Sequence, residues 1–203
     1  MPERAVRVYF ERHGDARFLS HLDLLRLVER AVRRSGLEVQ YTAGFNPHVR
    51  VRMPAAVPVG VASRGDWFGL RVADSIPLGD VEARLAAEMP AGIRISRAEE
   101  GVAPPASGRT WLSIPVKDGS AAAQAAATAL RESGDERYSR AVAHGACVIL
   151  ELVGGGADGR PPRVRECIER VQACLKASGF SGETDAATKH VDDPPVDSTG
   201  AVD

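Results

Sequence analysis

At 203 residues the chain has room for one large domain or two small ones, and 44% hydrophobic with 26% charged residues is a globular composition that excludes a disordered polymer. No apolar run reaches the roughly 20 residues that span a bilayer, and Met1-Pro2-Glu3-Arg4 opens no signal peptide, so the expected location is cytoplasmic, away from any membrane. The net charge of −1 excludes a dedicated non-specific nucleic-acid binder, yet residues 1–60 carry ten Arg against six Asp and Glu, so any anionic contact is expected to be local to that region.

Residues 5–10 alternate Val6, Val8 and Phe10 with Arg7 and Tyr9, the period of a half-buried strand. After a turn at His13-Gly14-Asp15, Ser20 and Asp23 stand in the S-x-x-D relation of a helix cap. Leu24, Leu25, Leu27, Val28, Ala31 and Val32 then recur at helical spacing until Gly36. Two extended stretches, 38–42 and 49–53, flank the turn Gly44-Phe45-Asn46-Pro47-His48. A strand over 67–72, a helix over 78–88 with Val81, Leu85 and Met89 on one side, and a strand over 93–96 complete a β-α-β-β-α-β order.

Residues 104–108, Pro-Pro-Ala-Ser-Gly, read as a linker. Beyond it a strand over 110–116, an Ala-rich helix over 120–132, a strand pair over 138–143 and 146–153 and a helix over 164–177 repeat the order in outline. The fold expected is α+β, two tandem ferredoxin-like units with antiparallel sheets covered by helices on one face. The domains run over 1–103 and 109–179. Residues 180–203 are expected to form a disordered acidic tail, because few apolar side chains there offset the ordering entropy.

Chemistry-bearing residues concentrate early in the chain. Arg26, Arg30 and Arg34 are spaced by four and Arg33 lies seven after Arg26, a positive stripe opposite the leucines, with Glu29 placed to pair with Arg33 at i,i+4. An arginine fork suits phosphate or carboxylate oxygens, although solvated arginine faces are common. The 44–48 turn joins a flexible Gly, a Pro-restricted Asn46 and a His that titrates near neutrality; its bland reading is a rigid connection in which Asn46 bonds its own backbone. His13, His21 and His48 flank the same elements. If they converge, His21 and His48 become candidates for acid–base cleavage of RNA, or a metal site with Asp15 or Asp23.

Cys147, Cys167 and Cys174 lack the C-x-x-C pairing of cluster or zinc ligands and are expected to be reduced thiols. No phosphate-loop, dinucleotide-binding or H-E-x-x-H motif is present, and Gly154-Gly155-Gly156 without a following Lys-Ser or Lys-Thr reads as a flexible strand end. No cofactor of the chain's own is expected.

The residues Arg17-Phe18-Leu19-Ser20-His21-Leu22-Asp23-Leu24-Leu25-Arg26, then Arg33-Arg34-Ser35-Gly36-Leu37, then Gly44-Phe45-Asn46-Pro47-His48 resemble the radical-SAM-linked protein family over residues 7–72. That is a domain of unknown function found beside or fused to radical SAM proteins of the cobalamin-binding type. This chain departs from the family pattern at Val49, where a Pro is usual, and over 63–67, where a Glu is usual. The resemblance implies a radical SAM partner that would itself hold an iron–sulfur cluster, S-adenosylmethionine and, in the cobalamin type, cobalamin. The leading expectation is an accessory binding protein that docks on that enzyme, or presents a substrate such as RNA to it, through Arg17, His21, Asp23, Arg26, Arg33, Arg34, Phe45, Asn46, Pro47 and His48. The alternatives are a metal-independent RNA-binding or RNA-processing protein and a structural assembly partner.

Overall fold

The computed structural model describes residues 2–53, 57–101, 110–152 and 163–191. The expected linker at 104–108 and the Gly154-Gly155-Gly156 triplet lie outside the described residues. The chain is a mixed α+β protein of two compact units, Met1–Val59 with Ser63–Ala106, and Gly60–Ala62 with Ser107–Asp203. No helix among the described residues is long and apolar enough to cross a membrane.

In the first unit, strands β1 (Glu3–Arg12), β2 (Ala62–Ala73) and β3 (Ile93–Glu100) form an antiparallel sheet in the order β3-β1-β2. Helices α1 (His21–Arg34) and α2 (Leu78–Glu88) belong to the same unit. Strand alternation sends Val6, Val8 and Phe10 of β1 and Phe68, Leu70 and Val72 of β2 into one core with Leu24, Val28 and Val32 of α1 and Val81 and Leu85 of α2. The rings of Phe10 and Phe68 lie 5.9 Å apart. The Ser20 hydroxyl accepts from the Asp23 amide at 3.2 Å and starts α1, and Gly36 at φ +66° ends it.

The two stretches expected as strands, 38–42 and 49–53, are single antiparallel bridges instead: Val39 to Val72, Tyr41 to Val49 and Arg52 to Gly69. The cause is shared space. Gln40 donates to the Arg71 carbonyl while Arg52 and Gly69 exchange both their backbone hydrogen bonds, so the two arms divide one edge of β2 and neither has length for a ladder. β2 begins earlier and β3 ends later than the 67–72 and 93–96 expected.

The odd face of this sheet is also covered. Arg7 donates to the Tyr9 hydroxyl at 3.0 Å, Tyr9 donates to Glu99 at 2.7 Å, and the Arg97 guanidinium sits 3.9 Å from the Tyr9 ring centre. Burial, then the bond to Glu99, pushes the Tyr9 phenol above its ordinary range. On β3, the outermost strand, the Ala98 amide donates to Glu82 Oε1 of α2 at 2.6 Å.

The second unit has β4 (Thr110–Pro115), α3 (Ser120–Glu132), β5 (Val142–His144), β6 (Cys147–Glu151), α4 (Val164–Ala177) and β7 (Thr188–Val191), with antiparallel neighbours in the order β7-β4-β6-β5. Ala122, Ala123, Ala126 and Ala127 of α3 are all fully buried, small enough for close packing. The strand expected from 138 starts only at Val142, because Asp135 accepts from the Arg137 amide and nucleates a 3-10 turn over Glu136–Tyr138.

Strand β7 corrects the expectation of a disordered tail from residue 180. Lys117 meets Glu183 at 3.0 Å, Asp185 donates to the Pro115 carbonyl, and Thr188 to Val191 pair with Ser113 to Thr110. Backbone hydrogen bonds along β4, with Ala187 and His190 buried, order a segment whose side chains are mostly polar. Residues 192–203 lie outside the described residues.

Candidate functional site

Helix α1 turns Leu24, Val28, Ala31 and Val32 inward. Leu22, Arg26, Glu29 and Arg33, at i, i+4, i+7 and i+11, therefore share an outward face. The positive stripe expected from spacing is divided by tertiary partners. Arg33 Nη2 donates to the Pro47 carbonyl at 3.1 Å. Arg34 turns the other way, with Nε to Glu88 Oε2 at 2.7 Å and Nη2 to the Glu88 carbonyl at 2.8 Å, and caps the end of α2. Glu29, expected to pair with Arg33, instead faces His48 Nδ1 at 3.9 Å. Arg17 stacks on Phe18, its guanidinium 4.8 Å from the ring centre. Arg26 and Arg30 are exposed and have no acidic partner among the described residues.

The 44–48 loop is braced at its base. Thr42 donates its amide to the His48 carbonyl at 2.8 Å, and the Thr42 hydroxyl accepts from the His48 amide at 2.9 Å. Gly44 at φ +123° makes the turn, and Val49, 3% exposed, anchors the returning chain in the core. With Pro47 held by Arg33, the loop lies against the C-terminal half of α1. Its tip is Phe45, 113% exposed relative to an extended reference, so no surface of the protein shields the ring. Asn46 is exposed and makes no side-chain hydrogen bond among the described residues, so the backbone-capping role expected for it is not seen.

The three histidines occupy separate surroundings. His13 Nδ1 lies 3.2 Å from the Gly92 carbonyl. His48 faces Glu29, eight residues and roughly 12 Å of helix rise beyond His21. His21 lines a narrow cleft with Phe10, Arg12, Leu24, Met53, Val57 and Asp66, whose free space of about 10 Å³ is the lower limit for one water. Asp23 is engaged in the helix cap, where the Ser20 hydroxyl donates to its carboxylate at 2.6 Å. Among the described residues no group of three His, Cys, Asp or Glu is placed to hold a metal ion.

Arg12 and Asp66, 1% and 4% exposed, are the residues that sequence reasoning missed. Arg12 Nη1 donates to the Leu19 carbonyl at 3.3 Å; burial lowers the affinity of its guanidinium for the proton, and the charge of Asp66 acts against that. Opposite Arg12 in the register is Ser63, whose buried hydroxyl makes no hydrogen bond. The signal was present, since Arg12 continues the inward series of Val6, Val8 and Phe10, and Asp66 precedes that of Phe68, Leu70 and Val72.

In the second unit a wide cleft of about 390 Å³ is lined by Asp135, Arg137, Tyr138, Glu166, Glu169 and Arg170. Arg137 is saturated there, at 2.8 Å from both Asp135 and Glu166. The neighbouring Cys167 is a buried free thiol pushed up to about 12 by burial, the reverse of an activated nucleophile.

Comparison with known proteins adds a family. The family described as an uncharacterized protein conserved in bacteria (DUF2344) matches residues 5–110, the segment that carries α1 and the loop. No curated protein matches the chain. Among solved structures, a crystal structure of an unknown protein from Galdieria sulphuraria aligns over 94% of this chain and 99% of that one at 12% identity, with a TM-score of 0.28, too low to carry a structural argument.

Proposed function

This chain belongs to the DUF2344 family of uncharacterized proteins conserved in bacteria, and from that footing we propose that it is a binding module that docks on a radical SAM enzyme through α1 and the 44–48 loop. The partner's identity comes from the resemblance carried by the three motifs of residues 17–48. In this reading iron–sulfur and S-adenosylmethionine chemistry stay with the partner.

The observation that carries the docking role is Phe45. An aromatic ring held clear of the protein by a braced loop gains nothing in the free molecule, whereas burying it in a partner contributes about 2 kcal/mol, as aromatic anchors of interfaces do. The brace matters because a loop already fixed by Thr42, His48 and Arg33 loses little freedom on binding. The separation of His21 from His48 removes the geometric basis for a histidine pair acting on RNA.

Each unit is read here as ferredoxin-like. Supporting this, the second unit sets its fourth strand beside the first, the first beside the third and the third beside the second. The first unit follows the same order with residues 38–40 at the place of the second strand.

The test is recovery of the affinity-tagged chain from its native cells with and without ribonuclease. A radical SAM protein retained after ribonuclease, and lost with Phe45→Ala, is the expected result. Recovery of a discrete RNA without such an enzyme refutes the proposal and favours an RNA-binding protein.

A further inference from the structure

We infer that the element received by this face is a protein segment that is both acidic and apolar, with carboxylates for Arg26 and Arg30 and an apolar side chain between Leu22 and Phe45. The inference rests on the docking reading above and specifies the chemistry of its partner.

The argument begins with which charges are available. Of the four arginines of α1, Arg33 holds Pro47 and Arg34 holds Glu88. Arg26 and Arg30 remain exposed, one helical turn apart, about 6 Å along the axis. Two carboxylates one turn apart on a helix, or on alternate residues of an extended segment, match that spacing. Each arginine presents a planar fork to a carboxylate, so complementarity is geometric as well as electrostatic.

The apolar half of the face decides between protein and nucleic acid. Leu22 lies one turn before Arg26 on the same side and is 52% exposed, and Phe45 is wholly exposed. An isolated leucine offers nothing to a phosphate backbone. Two available arginines are also a short track for a nucleic acid, whose affinity comes from neutralising many phosphates. The aromatic residues of the first sheet do not supply the base-stacking platform that single strands use, because Tyr9 and Trp67 are 1% and 5% exposed.

The probe is a random peptide library displayed on phage and selected against the immobilised full chain, followed by titration of the synthesised winning peptide. The expected winners carry two Asp or Glu residues beside Leu, Phe or Trp. Arg26→Glu with Arg30→Glu weakens the winning peptide at least about tenfold, and replacing the peptide's acids by Lys restores binding to that double variant. Phe45→Ala weakens binding without altering the charge dependence. Winners that are neutral or basic, no enrichment at all, or affinity unchanged by the double charge reversal each overturn the inference. A radical SAM protein retained by the chain together with neutral winners defeats this inference alone; acidic winners without such a protein defeat the docking assignment alone.

Discussion

Removing the carboxylate of Asp66 isolates a charge. Arg12 is 1% exposed and Asp66 4%, on adjacent strands of the first unit. Asp66→Ala leaves the Arg12 guanidinium in the same low-dielectric setting without that opposing charge, a change that costs about 3 kcal/mol in comparable buried pairs. For a unit of this size each kcal/mol corresponds to about 4–8 °C, so the unfolding midpoint of the first unit should fall by ~12–24 °C. The double replacement Arg12→Met with Asp66→Leu removes both charges and keeps the volume, and should recover most of the loss. Ser63→Ala deletes a hydroxyl that has no hydrogen bond, and should leave stability equal or higher by about 1 kcal/mol. Urea unfolding followed by near-ultraviolet circular dichroism measures all three. A single Asp66→Ala variant within about 1 kcal/mol of the parent, or a double variant worse than the single, refutes the account of this pair.

Arg33→Ala releases the loop from α1, and faster amide exchange at Thr42 and His48 with an unfolding free energy lowered by less than about 1 kcal/mol is expected; unchanged exchange would show that the backbone pair alone holds the loop. Ending the chain at Gly179 removes β7 and should lower the stability of the second unit, as read by thermal unfolding, whereas a dispensable tail would leave it untouched. Cys167 has a folded pKa of about 12 against an ordinary 9.0, so the unfolded chain releases its proton first as pH rises. Its contribution is intact below pH 9 and is lost between pH 9 and 12 at about 1.4 kcal/mol per pH unit. Cys167→Ala should flatten that alkaline slope in urea unfolding, and equal slopes would contradict the assignment.

The elements legible in the sequence are those whose stability is local or periodic. Ser20, Asp23 and Gly36 bound α1 because caps satisfy backbone groups within a few residues, and the leucine spacing fixes which side is inward. Segments 38–42 and 49–53 were misread because they share an edge of β2, a competition that no pattern within either reveals. β7 was hidden for a related reason: its order comes from the backbone of β4, and composition reports only side chains. In the site, helix periodicity placed Arg26 and Arg33 on one face but gave no sign that Glu88 draws Arg34 away or that Pro47 occupies Arg33. Arg12 and Asp66 stood in inward register all along, but a charge at the end of an apolar alternation reads as the strand's end until its neighbours are known.

Strand β3 is the outermost strand of its sheet, the kind of border where a second chain gains entry by adding a strand. Glu82 already accepts the amide of Ala98 there. An incoming strand that offered a carbonyl at this position would have to displace a charged hydrogen bond and would bring its own oxygen against a carboxylate. The border is thus guarded at its middle, which disfavours self-association through this edge and leaves recognition to side chains on α1 and the loop.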